Sequence, residues 1–146
     1  MSNPATNQVR IPAHSQLLYR SGIAVNPSVP VGGMAPWRRE AIQKAIGLTN
    51  LQPNWDSYGS HAPSRAVIQT AIHFLRNVAG ENLPTPLVVP ISGGGLHFEW
   101  TIDHRELEVA IDPKGSLEML RVQDGMPIEN DDVRGINEVF AWLSGQ

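Results

Sequence analysis

Apolar positions recur at spacings of three and four in two stretches of the chain and then at a spacing of two. From Pro36, the stretch P-W-R-R-E-A-I-Q-K-A-I-G puts Trp37, Ala41, Ile42, Ala45 and Ile46 on one helical stripe and leaves Arg38, Arg39, Gln43 and Lys44 for water. Proline suits a first turn and Gly47 suits an end. A second helix is expected from about Ser64 to Ala79, with Ile68, Ala71, Ile72, Leu75, Val78 and Ala79 facing a core. Ser64 suits its N-cap and Gly80 its C-cap, while His73 and Arg76 flank the stripe and point outward.

After residue 85 the period shortens to two. P-L-V-V-P-I reads as an edge strand, because the bracketing prolines would each remove a ladder donor. In G-L-H-F-E-W-T, Leu96, Phe98 and Trp100 share one face, and His97, Glu99 and Thr101 share the other. R-E-L-E-V-A-I-D repeats the pattern, with Leu107, Val109 and Ile111 against Glu106, Glu108 and Ala110. D-P-K-G then predicts a type I turn ending in a positive-φ glycine, so that G-S-L-E-M-L-R-V returns antiparallel. The apolar phase slips between Met119 and Leu120, which predicts a bulge or a strand covered on both faces. A closing helix from Asn130 or Asp131 to Leu143 carries Val133, Ile136, Phe140 and Leu143 on one line. Asp131 and Asp132 would complement its positive end.

These elements predict an α+β two-layer domain over 36–146. An antiparallel sheet of three to four strands has two helices before it and one after, all packed on one face. Residues 1–35 hold four prolines and no periodicity, yet carry Ile11, Leu17, Leu18, Tyr19, Ile23 and Val25. That much apolar material predicts an irregular arm lying on the domain or on a partner.

Composition narrows the function more by exclusion than by indication. The 146 residues carry a formal net charge of -3, and the lysines are Lys44 and Lys114 alone, which argues against nonspecific nucleic-acid binding. Without cysteine there is no disulfide, thiolate metal site or cysteine nucleophile. No apolar run approaches a membrane span and no secretory leader is legible, so a cytoplasmic protein without a membrane partner is expected.

Three segments in fixed order, W-D-S-Y-G, P-L-V-V-P-I-S-G-G-G-L-H-F-E-W and L-E-V-A-I-D-P-K-G, resemble a group of small bacterial proteins of unestablished function. Those proteins read W-D-G/S-Y-G-A, a helix, V-V-P, G-G, E-W and an L-E-x-x-I strand. The resemblance covers roughly 54–118 and implies a shared fold without supplying an activity; Ser60 stands where the group has alanine.

Chemistry-bearing residues concentrate in N-W-D-S-Y-G-S-H, residues 54–61. A serine triad from Ser57 or Ser60 with His61 and Asp56 would draw its members from one loop, whereas triads are assembled from separated segments, and no G-x-S-x-G elbow is present. S-G-G-G-L lacks the G-K-S/T ending of a phosphate loop and leads into a strand, so it reads as a tight turn. His97 and Glu99 point to one sheet face, where Glu106 and Glu108 could join them as ligands of a divalent metal; the plainer reading is a hydrated solvent face. In the loop itself, Asp56 is expected to fold back on backbone N–H groups while Trp55 and Tyr58 plug the gap between helix and sheet.

With no reaction centre legible, the leading expectation is a noncatalytic domain, without cofactor or bound metal, that binds another protein in an accessory or toxin-neutralising role. Trp55, Asp56, Tyr58, His61, Glu99 and Trp100 are its candidate binding residues, and the free sheet edge is also compatible with a homo-oligomer. The alternatives are a metal-dependent hydrolase or nuclease using His97, Glu99 and nearby carboxylates, and a small-molecule-binding domain with a pocket of Trp55, Tyr58 and Trp100.

Overall fold

The computed structural model describes residues 9–10, 33–129 and 135–145. Strand β1 (Val9–Arg10) is followed by helix α1 (Pro36–Gly47), a 3-10 turn (Leu48–Asn50) and helix α2 (Arg65–Asn77). Strands β2 (Leu87–Ile91), β3 (Gly95–Ile102), β4 (Arg105–Ile111), β5 (Leu117–Gln123) and β6 (Met126–Pro127) come next, and helix α3 (Ile136–Leu143) ends the described chain.

The sheet is antiparallel in the order β1-β5-β4-β3-β2, with β6 also paired to β5. Four strands form its body as expected, and two short ones raise the total to six. β1 pairs at Met119 and Glu118 and β6 at Val122 and Gln123, so they share the outer edge of β5. Among the described residues the outer edge of β2 is unpaired.

Alternation drives the layering. Phe98, Val109 and Met119 lie in one row, Leu96, Ile111 and Leu117 in the next, and all are buried beneath the helices. Helix α2 packs on β3 and β4, α1 on α2 and β2, and α3 on β4. The opposing face carries His97, Glu99, Glu106 and Glu108, so the expected α+β architecture with helices on one face holds. The phase slip in β5 is not a bulge: its register with β4 is unbroken, Met119 faces the helices, and Leu120 is buried on the other side.

Several local expectations hold. Ser64 caps α2, its hydroxyl accepting from Val67 N–H at 3.2 Å. In D-P-K-G, Gly115 adopts a φ of 86° and donates to Asp112 O at 2.8 Å. S-G-G-G is a tight turn in which Gly93 and Gly94 take φ of 96° and 101°, conformations costly for other residues. Gly95 has a different reason: a Cβ there would sit 2.6 Å from Ile111 O, closer than real side chains approach backbone.

Other expectations need correction. Arg38, placed on the wet side by periodicity, is 6% exposed, whereas Ile46, assigned to the stripe, is exposed because the buried line of α1 runs through Trp37, Arg38, Ala41 and Ala45 and leaves position 46 outside it. Helix α2 stops at Asn77 instead of Ala79. Gly80 does take a φ of 127°, but it serves as the acceptor for Trp37 Nε1 at 2.9 Å. His73 is half-buried instead of outward, and its Nδ1 has no hydrogen-bond partner among the described residues. Helix α3 begins at Ile136; the expected start at Asn130 or Asp131, with Asp132 and Val133, lies outside the described residues, as does all of the arm except residues 9–10 and 33–35.

Candidate functional site

The 54–61 segment closes on itself before it touches anything else. Asn54 N–H donates to Ser60 O at 2.8 Å, and Asn54 Oδ1 accepts from Gly59 N–H at 2.7 Å, which ties the two ends together. Tightness requires left-handed backbone at Asn54, Ser57 and Gly59, with φ of 64°, 66° and 84°. Asparagine and glycine adopt this region readily; serine does so at some strain.

Asp56 is the hub, as expected. Its Oδ1 accepts from Tyr58 N–H at 2.9 Å and Ser60 N–H at 3.2 Å; its Oδ2 accepts from the Ser60 hydroxyl at 2.5 Å and the Ser92 hydroxyl at 2.6 Å. The Ser60 oxygen in turn accepts from Gly93 N–H at 2.8 Å. Ser92 and Gly93 belong to the turn between β2 and β3, so the loop is clamped to that end of the sheet. Sequence reasoning missed Ser92, whose partner is 36 residues away, but already set Ser60 aside as a nucleophile. Its hydroxyl bonds directly to Asp56 with no imidazole between them, which is not the arrangement of a triad.

The two serine hydroxyls, Ser60 foremost and then Ser92, hold the Asp56 carboxyl well below the usual carboxylate range, and the backbone N–H groups add to this. A carboxyl depressed on folding contributes stability that is complete above its unfolded value, 3.8, and is lost as the pH falls toward the folded value. The wild-type melting temperature is therefore expected to drop between about pH 5 and pH 2 more steeply than that of Asp56→Asn, which starts lower at neutral pH. Thermal melts across that range check this; parallel curves would count against the clasp.

Trp55 is half-buried and its Nε1 donates to His61 O at 3.1 Å, so its polar tip ties the loop to itself. Tyr58 does not: it is 88% exposed, because its backbone, not its ring, is what Asp56 holds. His61 is exposed as well. Trp100 lies apart, 1% exposed in the core beneath the helices, so it cannot line a surface pocket with Trp55 and Tyr58.

Glu99 belongs to a second cluster, on the sheet face away from the helices. His97 Nε2 is 3.9 Å from Glu108 Oε2, and one ligand atom from each of His97, Glu99 and Glu108 can be chosen so that all lie within 4.8 Å of one another. Glu106 falls outside this set, since it stands opposite Thr101. His104 is also remote from it, facing Asp124 at 3.9 Å with both side chains exposed.

Among the described residues, no helix is long and apolar enough to cross a membrane. Compared with protein-family models, with curated proteins and with solved structures, the chain matches none.

Proposed function

We propose that this is a noncatalytic recognition domain that binds another protein through the exposed rim of the 54–61 loop and the adjoining edge of β2. The observation that carries this reading is Tyr58, a phenol 88% exposed on a loop whose backbone is held from both sides. An aromatic group offered on a backbone that is already ordered loses little freedom on binding, which is why tyrosine recurs at the centres of recognition surfaces. The groups that would otherwise suggest catalysis in this loop, Asp56 and Ser60, are engaged in holding it. His61 is exposed on the same loop, and Leu87, at the other end of β2 from the clamped turn, is 57% exposed on a strand edge unpaired among the described residues.

Tyr58→Ala is expected to leave stability within about 0.5 kcal/mol of wild type, as for other exposed positions, while weakening partner binding at least about tenfold. A photo-reactive residue at position 58, used with affinity capture from the native host, would identify the partner and check the contact. Equal recovery of the same protein by wild type and Tyr58→Ala, or no crosslink through position 58, would remove the basis of the reading.

A further inference from the structure

The sheet face turned away from the helices has an electrostatic imbalance that the recognition loop does not explain. On β2 to β5 this face carries Glu99, Glu106, Glu108 and Glu118 and no lysine or arginine; Arg10 of β1 stands in register only with Glu118, at the far side. Arg105 and Arg121 fall on the opposite face by alternation.

The imbalance is sharpest at Glu99 and Glu108, which are direct cross-strand partners. Pro90 settles which kind of pair they form. Having no N–H, it cannot belong to a hydrogen-bonded pair with Leu96, so along β2 and β3 the hydrogen-bonded pairs are Leu87–Glu99, Val89–His97 and Ile91–Gly95. The backbone groups of Glu99 therefore point at β2, and its pairing with Glu108 is of the non-hydrogen-bonded kind, where Cα atoms approach to about 4.5 Å and side chains are closest. Two carboxylates directly opposite destabilise a sheet. The Glu99 carboxylate has no hydrogen bond or ion pair among the described residues, and the cationic partner within reach of Glu108 is the imidazole of His97, 3.9 Å away. Their flanks are apolar, with Leu87 and Leu120 beside Glu99 and Glu108, Val89 beside His97, and the small Ala110 leaving room before it.

We propose that His97, Glu99 and Glu108 bind a borderline divalent cation of the zinc or manganese type. One imidazole and two carboxylates suit such an ion, three protein ligands leave a position for water or a ligand, and the ion's charge offsets the repulsion between the glutamates. The site is separate from the recognition loop, whose Asp56 is fully engaged with Ser60, Ser92 and backbone N–H groups.

Calorimetric titration of the full chain with zinc chloride and with manganese chloride tests this, alongside His97→Ala, Glu99→Gln and His104→Ala. One ion per chain is expected with micromolar or tighter affinity for at least one of the metals, weakened at least tenfold by the first two substitutions and unchanged by the third. A second readout does not depend on metal capture: in chelator, Glu99→Gln is expected to melt above wild type because one repelling charge is gone, and saturating metal should reverse that order. The proposal is overturned if no saturable binding occurs at tens of micromolar metal, if binding survives Glu99→Gln but is lost in His104→Ala, or if Glu99→Gln melts no higher than wild type in chelator.

Discussion

Trp100→Ala is expected to lose about 3–5 kcal/mol of folding stability, the range for removing a large buried aromatic side chain. Its ring lies edge-on to Phe140 at 5.0 Å and Trp37 at 6.0 Å, with Phe98 at 6.0 Å and Phe74 at 6.3 Å. Those neighbours come from α3, α1, β3 and α2, so one side chain joins every helix to the sheet. Against a total of about 5–15 kcal/mol for an ordinary domain, the variant should unfold at a much lower urea concentration, read by far-ultraviolet circular dichroism. Trp100→Phe should behave differently. The indole N–H has no hydrogen-bond partner among the described residues, and leaving a buried donor unpaired costs about 1–3 kcal/mol. Phenylalanine keeps the ring contacts and removes that donor, so its cost should be well under half that of alanine. Equal costs would mean that the N–H is satisfied in solution.

The second large effect is expected at Arg38. Its Nη1 donates to Val78 O at 2.9 Å and also to Leu75 O, while its Nη2 reaches Glu81 at 3.4 Å. Leu75 and Val78 stand at the end of α2, where helix carbonyls lack partners within the helix, so α1 supplies a buried cation that caps its neighbour. Burial lowers the guanidinium below its usual pKa, and Glu81 offsets part of that shift. Arg38→Ala strips both carbonyls and the packing of the stem, a loss of about 2–4 kcal/mol. Glu81, by contrast, is 72% exposed, and Glu81→Gln should change stability by less than about 1 kcal/mol, as for other surface ion pairs. Arg38→Lys should fall between, since one ammonium cannot fork to three acceptors as a planar guanidinium does. Urea melts of the three variants check the order; a Glu81→Gln cost equal to that of Arg38→Ala would shift the weight from the cap to the ion pair.

Arg38 also marks where sequence reasoning stops. Alternation assigned the buried faces of β3 and β4, and turn chemistry assigned D-P-K-G and the Ser64 cap, because each depends on residues within a few positions of one another. Whether an arginine on a helix is wet depends on which helix end lies beside it, and that is set by packing. The same limit separates Asp56 from Ser92. The local half of the clasp, an aspartate folding onto N–H groups two and four residues on, was legible, but the hydroxyl from the β2–β3 turn was not. Tyr58 was misplaced for a related reason: composition says that a ring near a turn tends to pack, whereas here the loop holds the Tyr58 backbone N–H and leaves the ring 88% exposed. On the sheet, period two placed His97, Glu99, Glu106 and Glu108 on one face, but choosing Glu108 over Glu106 required the register.

Pro90 has a consequence beyond the pairing it fixes between β3 and its neighbours. An open strand end is a template on which further copies of a protein can stack, and a growing stack needs an unbroken row of outward donors. On β2 that row is interrupted at position 90, where the missing N–H faces away from β3. The edge can therefore meet a partner that matches its side chains while remaining a poor seed for fibrous self-assembly.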